Sequence, residues 1–259
     1  MRTDTTPRND ETIDGLFRGK IKVIQARKGY RVSEDALILT WFVKPKPREL
    51  ILDAGTGSGV IAFGLAIAHP TVKVIALEIQ ESLADRAARG VVLNNLDRQV
   101  SVVRGDVRHA DRFFRPSKFH RVVSNPPFHG KGQGHVSSRE EKALARHQLI
   151  MPLPDLFDAS KRLLIPHGKL CFIYPAANAV AVQRSLKEAG FKPSSMLWIY
   201  THEGARPHLM CVEANMVPDV GPLIEDRLIL YDETSSRTRE AEAILNGEWM
   251  QAEKSPGRV

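Results

Sequence analysis

From Glu49 onward, short β-branched apolar runs alternate with stretches patterned like helices, and this alternation restricts the fold of the 259-residue chain more than any other feature. Strands are expected over residues 49–53, 72–77, 100–104, 120–124, 169–174, 196–201 and 208–214, with helices over 59–68, 81–95, 154–165 and 177–189. Runs that stay apolar at successive positions belong to strands buried on both faces, and strands separated by helices pair in parallel. No helical pattern separates the last two strands, so they should form a hairpin that turns the final strand antiparallel. The expected architecture is an α/β fold around a seven-stranded, mostly parallel sheet with an antiparallel last strand.

Before that core, residues 1–48 read as a small N-terminal extension that could serve as a lid over substrate and cofactor. Residues 21–24 alternate as Ile-Lys-Val-Ile and suggest a strand. Ser33-Glu34-Asp35 opens a helical pattern through residue 42, with Ser33 as its cap. Lys44-Pro-Lys-Pro-Arg48 marks a linker, and residues 49–217 form the main domain. A tail, 218–259, carries one strand-like run over 227–231 and a helix over 237–246, and should pack on that domain. Pro166-His167-Gly168 should stop the fourth helix and lead into the fifth strand.

Composition excludes several classes. No apolar stretch approaches the ~20 residues of a membrane span, and the N-terminus lacks an apolar leader core. Cys171 and Cys211 are the only cysteines, too few for a disulfide framework, which points to a reducing, cytoplasmic setting. They read as small buried hydrophobes, and no His/Cys cluster has metal-ligand spacing, so no metal is expected. The formal net charge of +7 is uneven: residues 1–50, 98–121 and 128–148 carry excesses of +4, +5 and +2, while residues 215–259 carry −4. Basic stretches flanking an active site would suit a polyanion.

The first strand ends in Asp53-Ala-Gly55-Thr56-Gly57-Ser-Gly59 and opens directly into a helix. Glycines let the backbone turn tightly and approach a ligand. The third glycine comes one residue too early for a dinucleotide loop, and no Gly-Lys-Ser/Thr follows, so this is not a phosphate cradle. An acid ahead of the loop instead suits a cation such as S-adenosyl-L-methionine. Glu78, followed by Ile79, ends the second strand, where a carboxylate can accept both hydroxyls of a ribose. Asp106 follows the third, where it can accept an adenine amino group.

The fourth strand runs into Asn125-Pro126-Pro127-Phe128. Two prolines stiffen the chain and remove two donors, and Pro126 biases Asn125 toward an extended conformation. The Asn125 side-chain oxygen and the Pro126 carbonyl then offer two acceptors beside the ring of Phe128. A planar amino group on an aromatic ring matches them.

These motifs together resemble class I S-adenosylmethionine-dependent methyltransferases, with a Rossmann-like fold. Within that class the chain is similar to enzymes carrying an (Asn/Asp)-Pro-Pro-aromatic motif, which methylate exocyclic amines of nucleobases or a glutamine amide. Over nearly the whole chain it most resembles the bacterial tRNA(Val) adenine-N6 methyltransferases, in Asp14-Gly-Leu-Phe17, Lys28-Gly-Tyr30-Arg-Val-Ser33-Glu-Asp35-Ala-Leu37, Arg206-Pro-His-Leu-Met-Cys-Val-Glu213 and Leu228-Ile-Leu-Tyr231. One departure is Pro166-His167-Gly168, where the family usually has Pro-Gly-Gly. The resemblance implies S-adenosyl-L-methionine as cofactor, held by Asp53, Gly55, Thr56, Gly57, Gly59, Glu78, Ile79, Asp106 and Asn125. It implies catalysis by Asn125, Pro126, Pro127 and Phe128, and substrate contacts from Tyr30, Phe128, His129 and Lys131. The implied partner is RNA, in particular tRNA near its anticodon. Guanine-N2 methylation of ribosomal RNA, methylation of a protein glutamine and a non-catalytic RNA-binding scaffold are the alternatives.

Overall fold

A computed structural model describes residues 4–28, 31–127, 151–216 and 221–252 of the chain. A hairpin of β1 (Glu11–Leu16) and β2 (Ile21–Ala26) precedes α1 (Glu34–Phe42). The core follows as β3 (Leu50–Ala54), α2 (Val60–Ala68), β4 (Lys73–Glu78), α3 (Glu81–Leu93), β5 (Val100–Arg104) and β6 (Phe119–Ser124). Then come α4 (Leu153–Leu163), β7 (Leu164–Pro175), α5 (Ala179–Ala189), β8 (Lys192–Tyr200) and β9 (Pro207–Asn215). The chain continues through β10 (Ile224–Ile229), α6 (Arg239–Leu245) and α7 (Trp249–Ala252). Among the described residues, no helix is long and apolar enough to cross a membrane.

The central sheet runs β10-β8-β9-β7-β6-β3-β4-β5. Only β9 is antiparallel to its neighbours, pairing with β7 on one side and β8 on the other. The sheet therefore has eight strands rather than the expected seven, because β10 adds in parallel to β8. The sequence reading placed this segment in the tail and not in the sheet, because Glu225, Asp226 and Arg227 face solvent on an edge, where the apolar signal is weak. The strand also starts at Ile224, ahead of the expected 227–231. The hairpin partner β1 was not expected either. It pairs with β2 from Glu11↔Ala26 to Leu16↔Ile21.

Successive residues point to opposite faces of the sheet, and two cores follow from that pleat. Ile51, Val74, Val123 and Ile173 join the layer of α1, α2, α3, the hairpin and the C-terminal helices. Leu52, Leu77, Val122 and Phe172 meet α4 and α5 on the other side. α2 is apolar all round and buried throughout except at Ile67, as a helix covered on every side must be. Its Phe63 ring fills the space that a Cβ at Gly59 or Gly90 would need, at 2.3 and 2.7 Å, so both positions require glycine.

The fourth helix ends at Leu163 rather than at residue 165, because Leu164 already pairs with Phe119. Pro166-His167-Gly168 is a bulge inside β7 rather than a helix stop. His167 adopts φ 64°, the left-handed region that glycine enters without cost, which explains why a glycine suits this position.

Two ion clusters brace the sheet. Arg121 on β6, 1% exposed, donates to Glu49 Oε2 at 2.8 Å, to Glu213 Oε2 at 2.7 Å and to the Lys44 carbonyl at 2.9 Å. It thus ties β6, β9 and the segment leading into β3 at the amino edge of the parallel strands. On the other layer boundary, Glu11 of β1 is buried and receives Arg89 of α3 at 2.6 and 2.9 Å and Arg86 at 3.0 Å. The Arg89 guanidinium holds the Glu11 carboxyl down at about 2. Arg121→Met should cost about 3–5 kcal/mol in denaturant unfolding, since it strands the buried Glu49 and the half-buried Glu213. The triple variant Arg121→Met, Glu49→Gln, Glu213→Gln should recover most of that loss, and equal losses for the two would contradict the ion-cluster account.

Candidate active site

Parallel strands gather their carboxyl ends on one edge of the sheet, where ligands of open α/β folds bind. β3, β4, β5 and β6 deliver Asp53, Glu78, Asp106 and Asn125 to that edge. Asp53 pairs in register with Ala76 on one side and Val123 on the other. The pairing of β3 with β6 ends at Asp53↔Val123, so Asn125 follows two residues later at the same edge as the glycine loop.

Asp53 is fully buried at the junction of strand, loop and helix. Its Oδ2 accepts the Thr56 hydroxyl at 2.5 Å and the Ala62 amide at 3.1 Å, while Oδ1 has no hydrogen-bond partner among the described residues. Burial lifts its pKa to about 7, against the pull of those two donors. An orphaned buried acceptor of this kind fits a ligand that brings its own donors or positive charge. Thr56 turns out to prop Asp53 rather than to present a free hydroxyl.

The loop itself is cradle-shaped. Gly55, Gly57 and Gly59 all have positive φ, at 76°, 59° and 93°. Among the described residues, a Cβ on Gly57 would meet nothing within 4 Å and one on Gly55 only the Met151 methyl at 4.0 Å, so these residues leave room for a ligand above the loop. The Gly55 and Thr56 amides both donate to the Leu77 carbonyl, at 2.9 and 3.0 Å, which ties the loop to β4. Glu78 reaches back across it: Oε2 accepts the Gly57 amide at 2.9 Å and Oε1 the Gln80 amide at 2.8 Å. Burial raises the Glu78 pKa despite these bonds. With the Ile79 amide as a third backbone donor, one of the four lone-pair sites of the carboxylate is left for a ligand hydroxyl. Ile79, half-buried, follows directly at the strand tip.

Asp106 is engaged by a partner that sequence reasoning missed. Arg108 donates to it from Nε at 2.8 and 3.0 Å, from Nη2 at 2.5 Å and from its amide at 2.9 Å. Burial works to raise the Asp106 pKa, but these bonds prevail and hold it below the usual carboxylate range. The two-residue spacing of an acid and a basic residue ahead of a short 3-10 turn could have suggested the pair.

The Asn-Pro-Pro segment is anchored from behind. Ser124 donates from Oγ to the Ala54 carbonyl at 2.7 Å, locking the tip of β6 to the tip of β3. Asn125 is half-buried, Pro126 buried and Pro127 exposed. Phe128, His129, Lys131 and Tyr30 lie outside the described residues. Two groups farther along the edge also went unnoticed in the sequence, Asp35 in the first turn of α1 and His208 at the start of β9. Burial raises the Asp35 pKa and lowers that of His208. Only the fold makes them neighbours.

Comparison with known proteins agrees with this geometry. The model of the methyltransferase small domain family matches residues 31–189, well over half the chain. Among curated relatives, a tRNA1(Val) (adenine(37)-N6)-methyltransferase of Tolumonas auensis is 25% identical over 75% of this chain and 80% of that protein. One of Porphyromonas gingivalis is 31% identical over 56% of this chain and 58% of that protein. Of solved structures, a predicted O-methyltransferase from Agrobacterium tumefaciens superposes with a TM-score of 0.64 at 20% identity, covering 82% of this chain and 96% of that one. TYW2 of Pyrococcus horikoshii, in complex with MeSAdo, gives a TM-score of 0.55 at 16% identity, covering 81% and 73%. At these identities the structural likeness is one of fold. With a matching family model, an eight-stranded sheet of this order and a glycine loop set beneath a buried acid, the chain belongs to the methyltransferase small domain family, as a class I S-adenosylmethionine-dependent methyltransferase.

Proposed function

We propose that this enzyme methylates the exocyclic N6 of an adenine in tRNA, next to the anticodon, and acts in the cytoplasm. The observation that carries the reading is Asn125, held at the same edge as the glycine loop by the Ser124 hydroxyl on the Ala54 carbonyl. The curated relatives, named for adenine 37 of tRNA1(Val), support the choice of base and RNA.

In this reading Asp53, the loop of Gly55, Thr56, Gly57 and Gly59, Glu78, Ile79 and Asp106 bind the cofactor. Asp53 Oδ1 faces its positive charge, Glu78 its ribose hydroxyls and Asp106 its adenine amino group. S-adenosyl-L-methionine supplies an electrophilic methyl carried on a sulfonium. The Asn125 side-chain oxygen and the Pro126 carbonyl accept the two N–H bonds of the target amine, which aims its lone pair along the line of transfer. They also stabilise the positive charge that develops on that nitrogen. Pro127 keeps the turn rigid, and Phe128 stacks on the base. Tyr30, His129 and Lys131 contact the RNA. No side chain needs to take the proton, because the product amine can release it to water. An adenine in a loop reaches such a site by leaving its stack, at lower cost than one in a duplex.

Asn125→Ala should lower kcat by about 10²-fold or more, the usual effect of losing one charge-stabilising partner, with cofactor affinity near normal in calorimetry. Retained methyl transfer to tRNA would remove Asn125 from the mechanism. Identifying the methylated nucleoside by mass spectrometry separates N6-methyladenosine from N2-methylguanosine.

The raised pKa of Asp53 gives a second expectation. Below about 7 the carboxyl keeps its proton, and a cationic ligand favours the ionised form. Affinity for S-adenosyl-L-methionine should therefore rise as pH climbs through about 7. Asp53→Asn should bind weakly and flatten that rise; a pH-independent affinity in the unaltered enzyme would refute the assignment.

A further inference from the structure

The structure points to a second RNA-binding surface, away from the transfer site. We infer that Arg112, Arg115, Lys118 and Arg162, with the exposed ring of Phe113, form a stripe that grips the phosphate backbone of the tRNA outside the modified loop. This inference rests on the reading of tRNA as substrate and adds where the body of that RNA lies.

These four cations stand out because they lie unpaired on two segments that are bonded to each other. Several other arginines are neutralised: Arg8 meets Asp85, Arg89 meets Glu11, Arg121 meets Glu49 and Glu213, Arg227 meets Glu203, and Arg237 meets Glu34. Arg112, Arg115, Lys118 and Arg162 are all exposed, and none forms an ion pair among the described residues. Asp111 is the only acid in residues 107–118. Of the seven cations in residues 98–121, Arg104, Arg108 and Arg121 are spent on Glu81, Asp106 and the Glu49–Glu213 pair, while Arg98, Arg112, Arg115 and Lys118 form no ion pair among the described residues.

These residues sit on a firm support. The Ser117 amide donates to the Arg162 carbonyl at 3.0 Å and the Lys118 amide to the Leu163 carbonyl at 2.8 Å, which bonds the connection ahead of β6 to the end of α4. Arg162 Nη2 reaches the Arg108 carbonyl at 3.2 Å. Phe114 is buried beneath, edge-on to Phe119 at 5.2 Å, with Lys118 Nζ 5.1 Å from its ring centre. Cations placed on a fixed backbone lose less freedom on binding than those on a loose loop.

The stripe also reaches the catalytic edge. Phe113 is 46% exposed, and its ring lies 2.6 Å from where a Cβ on Gly105 would stand, beside Asp106 at the tip of β5. From there the segment descends to Lys118, just before β6 starts at the opposite edge. The six residues of β6 set that descent at about 20 Å, enough for several phosphates of one strand. An exposed aromatic ring between arginines, in Arg112-Phe113-Phe114-Arg115, is the pairing that single-stranded nucleic acid favours, a base on the ring and phosphates on the cations.

The test compares tRNA binding across a salt series for the full-length enzyme and two variants. Arg112→Gln, Arg115→Gln, Lys118→Gln, Arg162→Gln should reduce the slope of log affinity against log salt by about 3, from four lost phosphate contacts. Its affinity for S-adenosyl-L-methionine and its kcat at saturating tRNA should stay at wild-type values, while KM for tRNA rises. The control Lys46→Gln, Arg48→Gln, Arg98→Gln removes exposed charge elsewhere and should leave the slope nearly intact. Phe113→Ala should weaken tRNA binding roughly tenfold, and Phe113→Tyr should restore it. An unchanged slope in the fourfold variant, or an equal loss in the control, overturns the stripe. An unaltered enzyme that binds no tRNA instead sinks the substrate reading itself, and this surface with it.

Discussion

The site hangs on one buried carboxylate. Asp53 ends β3, takes the Thr56 hydroxyl that shapes the glycine loop, and receives the Ala62 amide from the first turn of α2. Strand, loop and helix therefore meet on a single side chain, and its second oxygen is left over for a ligand. Such a group destabilises the free protein, because burying an acceptor without a full set of donors costs about 1–3 kcal/mol. Placing that cost at the cofactor loop makes ligand binding the event that relieves it.

The two edges of the sheet are built for opposite purposes. At the amino edge Arg121 draws Glu49, Glu213 and the Lys44 carbonyl into a closed cluster with nothing to offer a ligand. At the carboxyl edge the acids stay partly unmet, and Ser124 holds the Asn-Pro-Pro turn against β3 through one hydroxyl. Rigidity at the first edge lets the second keep strained and unsatisfied groups in place. Phe63, gripped by Gly59 and Gly90, carries that rigidity from α3 to the start of α2.

Net charge acquires meaning only after folding. A formal +7 counts every cation alike. In three dimensions some of the N-terminal arginines are paired off at the surface: Arg31 closes on Asp14, and Arg8 closes on Asp85 of α3. Between β5 and β6 Arg108 closes on Asp106, while Arg112, Arg115 and Lys118 form no ion pair among the described residues. Local excess of free cations, not total charge, decides where a polyanion can settle.

Much of the architecture was legible because periodicity reports burial. Continuous apolar runs such as Leu50-Ile-Leu and Leu170-Cys-Phe-Ile announced central parallel strands, and Gly190, at φ 85°, was a readable helix stop. β1 went unread and β10 was read only in part, because edge strands and hairpins face solvent and carry charge instead of an apolar pattern. The glycine loop and the Asn-Pro-Pro turn could be named from sequence, since their chemistry depends on residues adjacent along the chain. That Arg121 would gather Glu49 and Glu213, and that Asp35 would face His208, depended on residues brought together by the fold. The sequence by itself determined the order of strands and helices and the residue types at each strand tip, because local propensity and covalent neighbours set those. Tertiary structure alone decided which acids kept a free oxygen and which arginines kept a free charge, because pairing is settled by distance in space.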